Sequence, residues 1–280
     1  MPNIKIVTDS TVDLPQEILK TYDIHVIPLT IHINGETYLD RVDISPSEFL
    51  EKMKHSHELP KSSQPSIGTF IELYNKLGED GSEILSIHLT GGMSGTVQTA
   101  QSAAKMSEAK VTVVDSKYIS RALFFQVMEA SKLAKEGKSV EEIVQRLDEI
   151  REQTRLFVVV DTLENLIKGG RIGKVQAFLG SLLNIKPIAT LLDGDLTPVS
   201  KARSHTQVVK YLLKQFTEDV KGKAIKGIGL VHADGRELAT KLKEKILEIY
   251  DSIEIHIDET TPVISTHTGP GAIGFMYYTE

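Results

Sequence analysis

Thr90-Gly91-Gly92-Met93-Ser94-Gly95-Thr96 follows a short apolar run and precedes a stretch rich in Ala and Gln. A strand, a glycine-rich loop and a helix in that order suit an anion. Glycines let the backbone approach a ligand closely, and the first N–H groups of the helix are unsatisfied and partly positive. Ser94 adds a hydroxyl, with Gly95 and Thr96 at the helix start; the same residues also read as an ordinary turn and N-cap. Ser62, Ser63 and Ser66 stand in a second polar loop before a helix, where N-capping is the simpler job. Arg171, after Gly169-Gly170, either presents a guanidinium to an anion or is solvated behind a helix C-cap. Arg203 precedes a further helix on what reads as solvated surface. His267 opens a glycine-rich segment through Gly271 to Gly274, expected to be a turn between strands. Asp9 and Asp115 each end a strand and are expected to cap helices or orient hydroxyls.

Several more specific chemistries fail on spacing. Gly269 to Gly274 matches the dinucleotide fingerprint by letter, but a strand follows it where a helix is required. Gly92-Met93-Ser94-Gly95-Thr96 lacks the glycine that a hydrolase elbow needs at position 96. There is no Walker loop and no kinase signature set. Asp9-Ser10-Thr11 lacks the second aspartate of a phosphoaspartyl phosphatase, and His55-Ser56-His57 has no further metal ligands in sequence. What is left is a set of donors for an anion.

The elements that must position these groups are legible from periodicity. Ile4–Thr8, Ile84–Leu89 and Val111–Val114 read as buried strands, alternating with helices over Pro46–His55, Gly68–Leu77, Thr96–Ser107, Tyr118–Glu136 and Ser139–Thr154. Alternation implies a parallel sheet with helices on both faces, whose ligands sit beyond the carboxyl ends of the strands. Asn34-Gly35 predicts a hairpin joining His25–Ile33 to Thr37–Leu39. In the second half, Phe157–Val160, Lys186–Leu192, Leu196–Val199, Ile225–His232, Ile253–Asp258 and Phe275–Tyr278 read as strands, with helices over Ser204–Val220 and Arg236–Tyr250. Hairpins mixed with helices predict a mixed sheet. The expected architecture is α/β throughout. A parallel-sheet lobe over 1–154 packs closely on a mixed-sheet lobe over 155–280, with no linker between them.

Composition narrows the function classes. The 280 residues carry 40% apolar and 25% charged side chains and a net charge of -6. That balance argues against a general binder of nucleic-acid backbone, which needs clustered positive charge. Cysteine is absent, which removes disulfides, thiolate metal sites and a cysteine nucleophile. No stretch approaches the roughly 18–20 apolar residues of a transmembrane span, and MPNIKIVTDS is not expected to be a secretory signal. The default location is cytoplasmic.

Six segments stand in order along the whole chain: Val7 to Pro15 (VTDSTVDLP), Ser63 to Ser66 (SQPS), Ile87 to Leu89 with Ser94 to Thr96, Val114 to Ser116, Lys168 to Ile172 (KGGRI), and His267 to Gly271 (HTGPG). Together they resemble the DegV family, bacterial fatty-acid-binding proteins that serve fatty acid kinase. The resemblance implies a fatty acid between two lobes, its tail in an apolar tunnel. It implies a carboxylate held by Ser62, where threonine is usual, by Ser94 and by His267. Ser63, Gly95, Thr96 and Gly271 are the neighbouring members of those motifs. Arg171 and Arg203 map to family arginines that handle phosphate or dock the kinase. No cofactor is implied beyond the bound fatty acid. The implied partners are a long-chain fatty acid, a fatty acid kinase and an acyltransferase that uses the acyl-phosphate. The implied activity is non-catalytic: the carboxylate is presented to a separate kinase, in service of phospholipid metabolism. Burying about 15 methylenes is worth roughly 12 kcal/mol, nearly what a membrane offers, so the tail must be enclosed almost completely. Two rival functions remain. One is a hydrolase or acyltransferase with Ser94 as nucleophile and His267 as base. The other is a regulatory module that senses a lipid.

Overall fold

The computed structural model of the chain describes residues 3–178 and 185–280. It is α/β, with three sheets. The first is four-stranded and parallel, in the order β2 (Ile24–Ile27), β1 (Ile4–Asp9), β6 (Glu83–His88), β7 (Val111–Asp115). Side chains alternate across it as the pleat requires. Val7 and Ile84 face α3 (Ile67–Gly78) and α4 (Thr96–Met106) with Phe70 and Tyr74, while Ile6, Leu85 and Ile87 join the central apolar cluster. The second sheet is six-stranded and mixed, in the order β10 (Asp195–Ala202), β9 (Lys186–Leu192), β8 (Thr154–Val159), β13 (Ala272–Thr279), β11 (Ile225–Ala233), β12 (Ile257–Glu259). Only β11 and β12 run parallel in it. Its outer face carries α8 (His205–Asp219) and α9 (Arg236–Leu247) over Phe157, Phe275 and Tyr277, with Phe216 of α8 packed among them.

Between the two sheets lies α5 (Ser120–Lys135). Ten of its sixteen residues are buried, and it packs on β1 and β6 on one side and on β8, β11 and β13 on the other. A helix enclosed this way cannot keep one polar face. The central cluster accordingly spans both halves, from Ile6 and Leu85 to Leu156, Val231 and Met276. α6 (Val140–Gln153) follows, started by a Ser139 capping box, and packs on α5 and β13. The short α1 (Gln16–Tyr22) begins after Pro15, and α2 (Pro46–Lys54) is started by the Ser45 capping box. Both boxes carry the Ser-x-x-Glu pattern in sequence, Ser45 to Glu48 and Ser139 to Glu142.

Three expectations change. The run His25–Ile33 is not one strand. Pro28, which lacks a donor N–H, lies where the chain leaves β2 for a third sheet, in the order β4 (Glu36–Leu39), β3 (Thr30–Ile33), β5 (Lys61–Ser63). The predicted Asn34-Gly35 hairpin is therefore β3–β4, and part of the loop around Ser62 is strand β5, paired to β3. Of Ile253–Asp258, only Ile257 and Asp258 pair, within β12. The third change concerns His267. It sits not in a turn between strands but on α10 (Pro262–Thr268), capped by Thr261 with Pro262 in its first turn. The short helix α7 (Glu164–Lys168) precedes Gly169-Gly170-Arg171, and a 3₁₀ turn covers Gly173–Phe178.

Candidate functional site

The parallel strands β1, β6 and β7 end at Asp9, His88 and Asp115, as the α/β pattern requires. The loops beyond them supply Thr11, Leu89, Ser94 and Ile119 to the wall of a cavity. The opposite wall comes from the six-stranded sheet and its loops, with Val158, Leu166, Arg171 and Leu196. β5 and α10 add Ser62, Ile264 and His267. A second, adjoining cavity shares Ile119, Val158, Ile264 and Thr268 with the first and is walled mainly by aliphatic side chains.

Contacts tie the polar wall residues into one group. Ser62 Oγ lies 2.7 Å from His267 Nε2, across 205 residues of sequence. Arg171 donates from Nε to Met93 O at 3.1 Å and from a terminal nitrogen to Gly169 O at 2.7 Å, which fixes it beside the Ser94 loop. Ser94 Oγ pairs with Thr96 Oγ1 at 2.8 Å and accepts from Thr96 N. Burial, helped by the Arg171 charge, pushes His267 down to about 4, so its imidazole is neutral at ordinary pH. Its Nδ1 has no partner among the described residues. Gly169 packs directly against that edge of the ring, and a Cβ there would overlap Nδ1.

α10 is held from both ends. At its start two buried carboxylates of the first half reach across: Asp13 accepts from Thr261 N at 3.0 Å and Asp40 from Val263 N at 3.2 Å. At its end, Asn165 Nδ2 donates to Thr266 O at 3.1 Å. Burial raises both carboxylates, Asp40 to about 7; Ser10, bonded to Asp40 at 2.6 Å, opposes the rise. Neither aspartate received a role from sequence. The signal that was present is Thr261-Pro262 before Gly269, the cap, first-turn proline and terminal glycine of a helix.

The remaining sequence candidates lie off this wall. Strand alternation turns Ser63 away from Ser62, to His32 Nε2 at 3.0 Å. Gly95 packs under Gln64, and buried Thr96 braces Ser94. Gly271 turns at φ +82° against Asp161, and Arg203 is exposed at the start of α8. Ser66 caps α3. Asp9 and Asp115 hold loops rather than capping helices: Asp9 accepts from Thr11 N, Leu89 N and the ring of His88, and Asp115 from Gly91 N and Lys117 N. A fully buried chain Tyr74–Ser86–His88–Asp9 has triad-like order but no exposure to a substrate.

A cavity between two α/β sheets, apolar for most of its wall and polar at one hydroxyl–imidazole–guanidinium cluster, is the site of a binder of amphiphiles. The comparisons agree with that class. The DegV family model, described as "Uncharacterised protein, DegV family", matches residues 3–280. The chain belongs to the DegV family. It is 48% identical over 281 residues to a DegV domain-containing protein of Listeria monocytogenes, covering 100% of each chain. It is 48% identical to one from Staphylococcus aureus, over 97% of each. Among solved structures, it is similar to a fatty-acid-binding DegV family protein of Thermus thermophilus, with TM-score 0.93, 35% identity, and 99% and 100% of the two chains covered. It is similar also to DegV of Bacillus subtilis, described as a fatty acid binding protein, with TM-score 0.92, 35% identity and both chains covered in full.

Proposed function

We propose that this chain is a non-catalytic fatty-acid carrier that encloses the acyl tail and presents its carboxylate to a separate fatty acid kinase for acyl-phosphate formation. The observation that carries the reading is the Ser62–His267 pair in the wall of a largely apolar cavity. A buried carboxylate is costly unless donors replace its water. With His267 Nε2–H donating to Ser62 Oγ, the Ser62 hydroxyl is free to donate onward to a carboxylate oxygen. Ser94 and Arg171 supply further donors beside it. The aliphatic second cavity is the place for the tail, between lobes that we divide at 154. Structural relatives described as fatty acid binding support the ligand class. No helix among the described residues is long and apolar enough to cross a membrane; we assign the carrier to the cytoplasm, where a kinase would meet it.

The Ser62–His267 bond also invites a hydrolase reading. The chemistry disfavours it. A general base works best with a pKa near the operating pH, and His267 is pushed to about 4. No carboxylate orients its Nδ1 among the described residues, and Arg171 would oppose an imidazolium. The test is reconstitution of lipid-stripped protein with a long-chain fatty acid, ATP and a fatty acid kinase. The Ser94→Ala/His267→Ala double variant should lose support of acyl-phosphate formation while staying folded. Unchanged formation overturns the assigned head site, and an acylated serine found by mass spectrometry overturns the carrier reading.

A further inference from the structure

Thr90 lies just beyond β6, at the start of the loop that carries Ser94, and all of its polar groups are in use. Its N–H donates to Tyr118 O at 2.9 Å. Its carbonyl accepts from Met93 N at 3.2 Å, which folds Thr90–Met93 into a turn directly before Ser94. The buried hydroxyl has two partners. It accepts from Gly92 N at 3.1 Å, the local bond that threonine offers a turn, and it donates to Gly194 O at 3.0 Å, across 104 residues of sequence. Asp193-Gly194 is the tip of the β9–β10 hairpin, with φ +51° and +87°, the left-handed pair that a two-residue hairpin turn requires. The loop and the tip touch as closely as glycine allows. A Cβ on Gly92 would stand 2.6 Å from Gly194 O, and one on Gly194 would overlap Thr90 Oγ1. Leu196, two residues beyond the tip, lines the main cavity. The parallel sheet thus supplies the Ser94 loop, and the six-stranded sheet supplies the surface on which that loop rests.

Resting on the fatty-acid reading above, we infer that Thr90 is a positioning residue for the head site: its hydroxyl registers the Ser94 loop on the β9–β10 hairpin and so sets where Ser94 stands relative to Ser62 and His267. Both bonds of the hydroxyl go to protein backbone, so it acts through the loop and not on the ligand. Without it Gly194 O and Gly92 N lose their partner, and a loop freed by about 0.5 Å no longer presents Ser94 in bonding geometry.

The test is competition binding on lipid-stripped protein with two ligands that share one tail, octadecanoic acid and its methyl ester. The ester lacks the charged head, so the ratio of the two affinities reads the head site. Thr90→Val, close in shape but without the hydroxyl, should weaken the acid about fivefold to tenfold, the value of one net hydrogen bond, and leave the ester within about twofold. Thr90→Ser, which keeps the hydroxyl, should retain most of the preference. In case Thr90→Val does not fold, Gly92→Ala strains the same contact from an exposed loop position and should show the same selective loss. Equal weakening of acid and ester, unchanged binding of the acid, or as large a loss in Thr90→Ser as in Thr90→Val overturns the inference. Failure of the carrier reading looks different: the wild-type protein itself would then bind neither ligand, or show no preference for the acid.

Discussion

Gly169→Ala separates site geometry from stability. Gly169 has φ −77° and ψ −9°, a backbone any residue adopts, and alanine is the better helix former by up to about 1 kcal/mol. The obstacle is the ring beside it. The new Cβ would overlap His267 Nδ1 and lie 3.0 Å from its Cε1 and 2.8 Å from Asn165 O, where an unstrained contact is about 3.5 Å or more. Because α10 is anchored by Asp13, Asp40 and Asn165, the ring must yield instead of the helix. A shift of about 1 Å stretches the 2.7 Å bond to Ser62 beyond hydrogen-bond range. One net hydrogen bond and one charge-assisted contact to the ligand are then lost, together about 2–3 kcal/mol, or roughly 30-fold to 150-fold in affinity. Crowding offsets the gain in helix propensity, so the unliganded protein should melt within a few degrees of wild type. The assay pairs calorimetric titration of a long-chain fatty acid with thermal unfolding of the ligand-free protein. Affinity within twofold of wild type would refute the idea that the glycine seats the imidazole.

Three further outcomes follow from the same geometry. His267 starts near 4 in the free protein, and an adjacent carboxylate would raise it, so the complex should bind more protons than the free protein. Titrations at pH 6 in buffers of different ionisation heat should show proton uptake, absent in His267→Asn, and affinity should improve as pH falls from 7 toward 6. Asp40 is raised to about 7 in the folded state, so the native protein holds a proton that the unfolded chain has released above about pH 4. Its contribution to stability therefore declines as pH rises from about 4 to about 7, by up to about 1.4 kcal/mol per unit. Denaturant titrations should show a flatter profile for Asp40→Asn over that window. Thr261→Ala removes the side-chain cap of α10, which accepts from Ile264 N; a loss of about 1 kcal/mol of stability, with weaker binding, is expected in the same two assays.

Much of the fold is legible in the sequence because its signals are local. Apolar β-branched runs mark β1, β6 and β7, and the boxes at Ser45 and Ser139 mark the starts of α2 and α6. The errors arise where a tertiary partner decides. Nothing near Lys61–Ser63 announces a strand, since only β3 across the sheet makes it one, and only that pairing settles that Ser62 rather than Ser63 faces the cavity. α10 has seven residues, too short for a hydrophobic period to show. Asp13 and Asp40 look like ordinary turn aspartates until Thr261 and Val263 are brought beside them. His88, unremarkable in sequence, proves to be a fully buried member of the core.

The burial of α5 on both sides carries a mechanical consequence. Hinged binding proteins open by parting two bodies along a seam, but here the seam is occupied by a helix that both sheets use as their inner surface. Prising the halves apart would expose that helix to water, a step nearer to denaturation than to gating. Ligand exchange should therefore proceed by yielding of the thin rim made by β5 and α10, and heating should dismantle the molecule in one step.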